Sequence, residues 1–276
     1  MGIERLLEAS RSLTTAGVRL ELYEAVERAQ EPWEFGSFTD EEMHGLDDPV
    51  AKSSAYPSPW LSSLNEDERE AATSAALRSL KARQLFDADL VEDAYETWVE
   101  PHLAALLTMR RGAEAVVIAE RTVSGGTDWV VLHAQPRGLW LEEIISHQGM
   151  HDFALVPAGH ALTDLTVRIR SGLEAVTGAI DLHISRRDLI ERAEEVLAPL
   201  ADALGVTSVT RVEVVGERTT SGLGVIVSPE FTVVSQELAE GSTIRYRSVD
   251  DAELRSALHT LLRPTSGSSH EGEEDG

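Results

Sequence analysis

The spacing of hydrophobic residues in the first third of the chain predicts helices separated by one irregular segment. Between Ile3 and Ala29, apolar residues recur at helical intervals around a Thr-Thr-Ala-Gly turn, which indicates short helices. Residues 31–64 are rich in proline, serine and acids and have no regular period, so we expect an irregular strap pinned by its aromatic side chains. Two helices follow, over Asn65–Leu85 with Asn65 as the cap, and over about Val91–Met109, with a kink or restart at Pro101.

The pattern then changes to short apolar runs separated by turn residues, which is typical of strands. Four such runs follow one another from Val116 to Pro157, and "GHALTDLTVRI" begins a helix. Four more strand-like runs lie between residues 209 and 248, and a helix follows for which Ser248 is the predicted N-cap. Between the two sets, Ser185 caps a helix that we expect to stop at Gly205.

A repeated phrase supports the idea that this unit occurs twice. "VIAERTVSGG" at residues 117–126 and "VVGERTTSGL" at 214–223 are identical at six of ten positions. We interpret both as first hairpins, with Gly125 and Gly222 at matching turns that require a residue tolerant of positive φ. The alternative is a chance match between two similar turn sequences.

These patterns predict an α+β fold made of two similar lobes, each an antiparallel sheet with helices, related by a pseudo-twofold axis. The expected divisions are residues 1–64 for the N-terminal helices and acidic strap, 65–184 for the first lobe, 185–263 for the second lobe, and 264–276 for a disordered acidic tail.

Composition narrows the functional classes. Asp and Glu number 48 against 24 Lys and Arg, and the net charge of −24 disfavours nucleic acid and anionic membranes as partners. The absence of cysteine excludes disulfides and thiolate chemistry. The N-terminal residues include acids and lack the long apolar core of a secretory signal. No apolar run is long enough to span a bilayer, so we expect a cytoplasmic protein.

The sequence shows no recognisable catalytic, metal or cofactor motif, so none of these sites is predicted. His147 and His151 flank Gly149 at a turn, which favours a surface hairpin over a ligand pair. His133 and His183 are interpreted as core or strand-edge histidines. Glu142 and Glu143 should point to opposite faces of a strand, and a solvated face is the preferred explanation for them. A small-molecule enzyme of unrecognised type stays open as an alternative.

A winged-helix regulator is a second alternative, because the predicted helices precede a hairpin. The segment Glu92–Met109 has four acids and no Lys or Arg, which disfavours a recognition helix.

Three stretches resemble the EspG family of cytosolic chaperones from actinobacterial type VII (ESX) secretion. "ERTTSGLGVIVSPEFTVVSQELAEGSTIRYRSVDDAELRSALHTLL" (Glu217–Leu262) is similar to the final meander and closing helix of that family. "LLTMRRGAEAVVIAER" (Leu106–Arg121) is similar to its helix-to-strand entry, and "EREAATSAALRSLKARQLFD" (Glu68–Asp87) to its N-terminal helix. The resemblance implies a two-lobed quasi-twofold fold, no catalytic activity, and helical secreted clients of PE/PPE-like or WXG-like type. It leaves the oligomeric state open.

The resemblance also implies a client site at the first hairpin and nearby strands of the second lobe. The hairpin residues are Val123, Gly125, Gly126 and Asp128. Aromatic residues contribute disproportionately to interfaces, so Trp129, Trp140, Phe153 and Phe231 are candidate anchors, with a core role as the alternative for each.

Overall fold

The computed structural model describes residues 15–46, 56–91, 94–171, 173, 180–214, 218–238 and 243–263. The described helices are α1 (Thr15–Ala29), α2 (Asp40–Leu46), α3 (Glu66–Ala82), α4 (Pro101–Arg111), α5 (Ala158–Arg170), α6 (Arg186–Glu191), α7 (Ala193–Val196) and α8 (Asp251–Leu262), with 3₁₀ turns at Leu61–Ser63, Pro136–Gly138 and Ala198–Leu200. The strands are β1 (Trp33–Thr39), β2 (Phe86–Val91), β3 (Ala94–Val99), β4 (Ala115–Val123), β5 (Gly126–Gln135), β6 (Leu139–Ile145), β7 (Met150–Pro157), β8 (Asp181–Ser185), β9 (Gly205–Glu213), β10 (Arg218–Val227), β11 (Thr232–Glu237) and β12 (Thr243–Ser248).

Ten of these strands form one antiparallel sheet, so the α+β class is confirmed. The order is β1-β7-β6-β5-β4-β9-β10-β11-β12-β8, and β2 and β3 form a separate hairpin. Strands β4 to β7 run outward from the centre in one direction, and β9 to β12 run outward in the other. The two sets meet where β4 pairs with β9.

One face of the sheet, which we call the helix face, is covered by α5 and α8. Its core joins both strand sets, since Leu132 and Val209 belong to one buried cluster with Leu165 of α5 and Leu258 of α8. Since successive side chains of a strand alternate between faces, neighbouring residues point to the opposite face. There, α1 and α4 cover the first strand set, whereas α6, α7 and the turn at residues 198–200 cover the second.

Helix starts follow local capping chemistry. Asn65 accepts a hydrogen bond from the Glu68 N–H at 3.0 Å, and Glu68 accepts one from the Asn65 N–H at 3.0 Å, which is the predicted cap of α3. Ser185 caps α6 as predicted. The predicted cap Ser248 is wrong: Asp250 caps α8, and the Ser248 hydroxyl instead accepts from the Ile180 N–H.

Two of the predicted elements near the N-terminus are wrong. The expected strap at residues 31–64 contains strand β1 and helix α2, because β1 gains its hydrogen bonds from β7, far away in sequence. The expected helix at 91–109 contains β3, and α4 begins only at Pro101, where a missing N–H costs nothing. Residues before Thr15 and the predicted acidic tail lie outside the described residues.

The repeated phrase does not occupy equivalent places. In the first copy it covers β4 and its turn, with Gly125 between the last paired residues. In the second copy it begins after β9, and Gly222 lies within β10, paired with Thr210. The interpretation of Gly222 as a turn residue is therefore wrong. The predicted stop at Gly205 is also wrong, since that residue begins β9.

The two outer strands of the sheet differ from the inner ones. Strand β1 contains a bulge between Glu34 and Gly36, and Gly36 has a φ of 97°. Strand β8 has only five residues, and its His183 and Asp181 side chains are about half exposed.

We predict that the two strand sets unfold together. Phe231→Ala in the second set should lower the free energy of unfolding by about 3–5 kcal/mol, because Phe231 is 6% exposed in a core cluster. All five tryptophans precede residue 141, so tryptophan fluorescence in urea reports on the first set. If the two strand sets unfold together, Phe231→Ala must lower the urea concentration at the midpoint of the tryptophan fluorescence transition.

The control is Ile190→Ala, since Ile190 is 85% exposed. Its expected effect is within about 0.5 kcal/mol. An unchanged tryptophan midpoint for Phe231→Ala, with a second transition by circular dichroism, would contradict cooperative unfolding.

Candidate functional site

The β4–β5 hairpin presents most of the predicted client contacts. Val123 and Gly126 are its last paired residues, and Gly125 lies in the turn. Gly126 has a φ of 139°, which favours glycine. Asp128 accepts a hydrogen bond from the His147 N–H at 3.0 Å, which ties the hairpin to the β6–β7 turn.

A cleft of about 300 Å³ opens beside this hairpin on the helix face. We call it the hairpin cleft, and its lining residues are Arg121, Asp128, Trp129, Val130, Ile144, Val167, Arg168 and Ser171. Trp129 contributes its backbone, because its side chain packs with Val131 and Ile145 on the other face of the sheet, whereas Val167 on α5 is 56% exposed. The cleft therefore combines an apolar wall with two guanidinium groups.

The other candidate anchors are buried. Trp140 is 4% exposed in the helix-face core, and Phe231 is 6% exposed in the cluster beneath α6 and α7. Phe153 is 2% exposed and packs edge-on against Phe38. The structure places these three side chains in the core, which is the alternative role that the sequence left open.

An apolar groove of about 630 Å³ lies on the opposite face, between the short helices and strands β9 to β12. Its lining includes Leu197, Leu200, Val206, Ile226, Tyr246 and Glu194. Val206 is 49% exposed although it lies in a central strand. Val206 pairs with Thr122 of β4, next to the Val123–Gly205 pair. The apolar groove and the predicted hairpin site are therefore adjacent.

The first strand set contains a buried group of ionisable side chains, which we call the charge cluster: Asp40, Arg110, His133, Glu143 and His151. Each is at most 4% exposed. Glu143 of β6 is central, because Arg110 donates from Nε at 2.9 Å and from Nη2 at 3.0 Å to its two carboxylate oxygens. The Arg110 guanidinium also lies 4.2 Å from the Tyr56 ring centre.

The hydrogen bonds of His151 determine its protonation. Its Nδ1 lies 2.7 Å from Glu143 Oε1, and its Nε2 lies 2.7 Å from Asp40 Oδ1. Ionised carboxylates only accept hydrogen bonds, so the ring satisfies both only as an imidazolium with two N–H groups. Burial alone would lower the pKa of His151, but the bonds and charges of Asp40 and Glu143 outweigh burial and raise it.

His133, in contrast to His151, has a neutral imidazole ring. Its Nε2 lies 2.9 Å from Glu143 Oε2, and its Nδ1 is buried without a partner among the described residues. Burial is the main cause that lowers the pKa of His133, so the ring is neutral with its proton on Nε2. Burial would raise the pKa of Glu143, yet Arg110 and the two histidines hold it well below the ordinary value.

The charge cluster fixes a distant segment. Asp40 Oδ2 accepts from the N–H groups of Trp60 at 2.8 Å and Leu61 at 2.9 Å. Gly149 accepts from the Asp40 N–H at 2.8 Å, and its φ is 74°. A side chain at Gly149 would place Cβ 2.7 Å from Asp40 Oδ2, so this turn requires glycine.

Glu142 points to the helix face, as strand alternation predicts, but the expected solvated surface is wrong. The residue is 4% exposed, and its Oε1 has no hydrogen-bond partner among the described residues. Burial, with a smaller contribution from Asp164, raises the pKa of Glu142 to about 7, although Arg168 opposes the shift. The side chain is therefore about half protonated at pH 7 and largely protonated below it.

Sequence reasoning missed the charge cluster. The turn around Gly149 predicts a surface position for His151, but the residue is 1% exposed and its partner Asp40 is 111 residues away in the chain. For His133, the structure confirms the core alternative of the core or strand-edge interpretation. His183 is at a strand edge and exposed, which fits its predicted place. One available signal was the run of apolar residues around Glu142 and Glu143, which is typical of a strand buried on both faces.

No group of three or more metal-ligating side chains is arranged to hold an ion within the described part of the chain. None of the helices described there combines the length and apolar character that crossing a membrane needs.

The chain matches no protein-family model and no curated protein. Among solved structures, it is similar to the Mycobacterium tuberculosis type VII secretion system chaperone EspG5 in complex with the PE25–PPE41 dimer. The similarity has a TM-score of 0.48 at 11% sequence identity, over 68% of this chain and 83% of that chain. At these values the likeness is distant.

We predict that Glu142 makes stability depend on pH. Between its ordinary pKa of 4.5 and its folded pKa of about 7, the unfolded chain loses the proton while the folded chain keeps it. Rising pH therefore destabilises the fold across this window, by about 2–3 kcal/mol between pH 5 and 8. Glu142→Gln should remove this contribution, as measured by urea unfolding of both proteins at pH 5, 6, 7 and 8.

The matched control is Glu120→Gln, because Glu120 is exposed on β4. The difference in free energy of unfolding between Glu120→Gln and the wild type should not change across the same pH range. If the difference in free energy of unfolding between Glu142→Gln and the wild type were also constant with pH, this result would contradict the raised pKa of Glu142.

We predict that the two buried histidines have different charges at pH 7. Long-range ¹⁵N spectra of the imidazole rings should show His151 protonated on both nitrogens and His133 protonated on Nε2 only. The stabilisation from His151 is complete below its ordinary pKa of 6.5 and is lost as pH rises through its higher folded pKa. The His133→Gln and His151→Gln variants assign the signals, and a neutral His151 ring at pH 7 would refute the imidazolium bridge.

Proposed function

We propose that this protein is a non-catalytic cytoplasmic chaperone, or binding scaffold, for helical secreted clients of a type VII secretion system. The proposal combines the sequence resemblance to the EspG family with the apolar groove beside the predicted hairpin site. The observation that carries it is the exposure of Val206, which is 49% accessible near the start of the central strand β9. Exposed apolar surface in a concave position is characteristic of sites that bind another molecule.

The geometry of the groove fits one mode of recognition. Its lining includes aliphatic side chains from α7, the following 3₁₀ turn and strands β9 and β10, together with Tyr246 of β12. An amphipathic helix places side chains at i, i+3 and i+4 on one face, and such a face inserts into grooves of this kind. The polar backbone of the client helix is satisfied internally, so only apolar side chains need to enter.

We also propose that the two strand sets are copies of one structural design. The outward order of four strands, followed by a helix on the helix face, supports a pseudo-twofold relation. The repeated phrase does not support it, because its two copies lie at different places in the strands.

We predict that Val206→Asp weakens client binding. A carboxylate in the groove must be desolvated when an apolar helix enters, so the affinity should fall at least about ten-fold. The measurement is co-purification and titration with a PE–PPE-type pair encoded beside this protein in its genome, using the full chain.

Ile190→Asp is the matched control, since it makes the same kind of change at a residue that is 85% exposed and outside the groove. It should bind like the wild type. Equal binding by wild type and Val206→Asp, with unchanged thermal stability, would rule out the groove as the client site. Failure of the wild type to bind any helical client encoded nearby would refute the chaperone function.

A further inference from the structure

The hairpin cleft lies on the face of the sheet away from the apolar groove. Val130 and Ile144 belong to the helix-face cluster, whereas Val206 is three residues from Val209 of that cluster and faces the other way. The proposed client groove therefore does not account for the chemistry of the hairpin cleft.

The guanidinium groups of Arg121, which is partly buried, and Arg168, which is exposed, are the hydrogen-bond donors of the cleft. Arg121 donates from Nη2 to the Ser171 hydroxyl, and its Nε is buried without an acceptor among the described residues. Arg168 is in no ion pair with a carboxylate in the described part of the chain, whereas Arg170 on the same helix pairs with Asp251 at 2.6 Å. A buried donor without a partner is costly, so it indicates a place for an acceptor.

The carboxylate already present in the cleft does not fill this role. Asp128 is directly opposite Arg121 in the β4–β5 pairing, yet no ion pair joins them. Asp128 instead accepts from the His147 N–H, and its Oδ1 lies 3.4 Å from His147 Nδ1. Arg121 is thus left available to a ligand.

The rest of the lining is apolar. The side chains of Val130, Ile144 and Val167 line the cleft together with the backbone of Trp129, whose indole packs on the other face of the sheet. A volume of about 300 Å³ is at the lower end for small-molecule sites, so it suits a short ligand with one polar end.

We propose that the hairpin cleft binds a carboxylate attached to a short apolar group. The carboxylate accepts hydrogen bonds from Arg121 and Arg168, for which the planar guanidinium fork is suited, and the apolar group packs on Ile144 and Val167. A singly charged carboxylate is favoured over a phosphate dianion, because Asp128 and the net charge of −24 repel additional negative charge.

The first test is a titration with 4-phenylbutyrate, followed by ¹H–¹⁵N spectra up to about 10 mM ligand, the range needed for a millimolar Kd. Saturable shifts are expected at the backbone amides of Trp129, Ser171 and Arg168. The neutral isostere 4-phenylbutanamide should bind at least about ten-fold more weakly. No saturable shift, or equal binding of acid and amide, would overturn the proposal.

Variants locate the site. Arg168→Gln and Arg121→Gln should each weaken binding of 4-phenylbutyrate about ten-fold, whereas Arg187→Gln, at an exposed arginine on α6, should not. Val167→Asp keeps both arginines and changes an exposed position, so it should weaken binding without loss of thermal stability. Unchanged binding by both Arg168→Gln and Val167→Asp would overturn the assignment.

Two further probes distinguish the sources of the carboxylate. Inorganic phosphate should shift the same resonances more weakly, and stronger binding of phosphate would overturn the choice of a monoanion. A blocked hexapeptide with one glutamate between leucines tests a polypeptide source. Competition by this peptide at lower concentration than 4-phenylbutyrate assigns the site to a peptide side chain, and absence of competition assigns it to a small acid.

Discussion

The pairing of β4 with β9 is the interaction on which the rest of the structure depends. Nine residue pairs, from Ala115–Glu213 to Val123–Gly205, join the two strand sets into one sheet. On the helix face, the same pairing brings Val117 and Ala119 beside Val209, so that α5 and α8 share a core. It also places the apolar groove next to the β4–β5 hairpin, because Val206 and Thr122 are partners.

The charge cluster constrains the outer part of the first strand set. Burying an ion costs several kcal/mol unless partners offset the loss of water, and here two carboxylates are balanced by Arg110 and the His151 imidazolium. This balance requires α2, α4, β6 and β7 to be correctly placed at once, since each contributes a member. A group of this kind specifies one arrangement of its elements even where its net contribution to stability is small.

Much of the fold could be predicted from local signals. The strands between Val116 and Pro157 and the capped starts at Asn65 and Ser185 depend on neighbouring residues, and all are confirmed. Strand β1 could not be predicted, since its partner β7 follows more than 100 residues later. The repeated phrase led to the wrong prediction of a turn at Gly222 for a related reason. Identical residues in two segments do not fix the register in which their strands pair.

In the candidate sites, too, features set by neighbouring residues could be predicted, whereas features set by distant elements could not. The turn sequence around Gly125 predicts a hairpin, which is confirmed, whereas the client site at that hairpin comes from the family resemblance and stays a prediction. The burial of Glu142 and Glu143 was missed, because period-two alternation predicts opposite faces but does not say whether each face is covered. Only the packing of α5 on one face and α4 on the other decides this.

The outer strands have a consequence for the protein at high concentration. An edge strand has unpaired backbone groups to which strands of other chains can add. The two edge strands of this ten-stranded sheet are β1 and β8. The bulge at Gly36 interrupts the flat hydrogen-bonding line of β1, and the short β8 displays an acid and an imidazole. Both are features that hinder edge-to-edge pairing of a sheet with other chains.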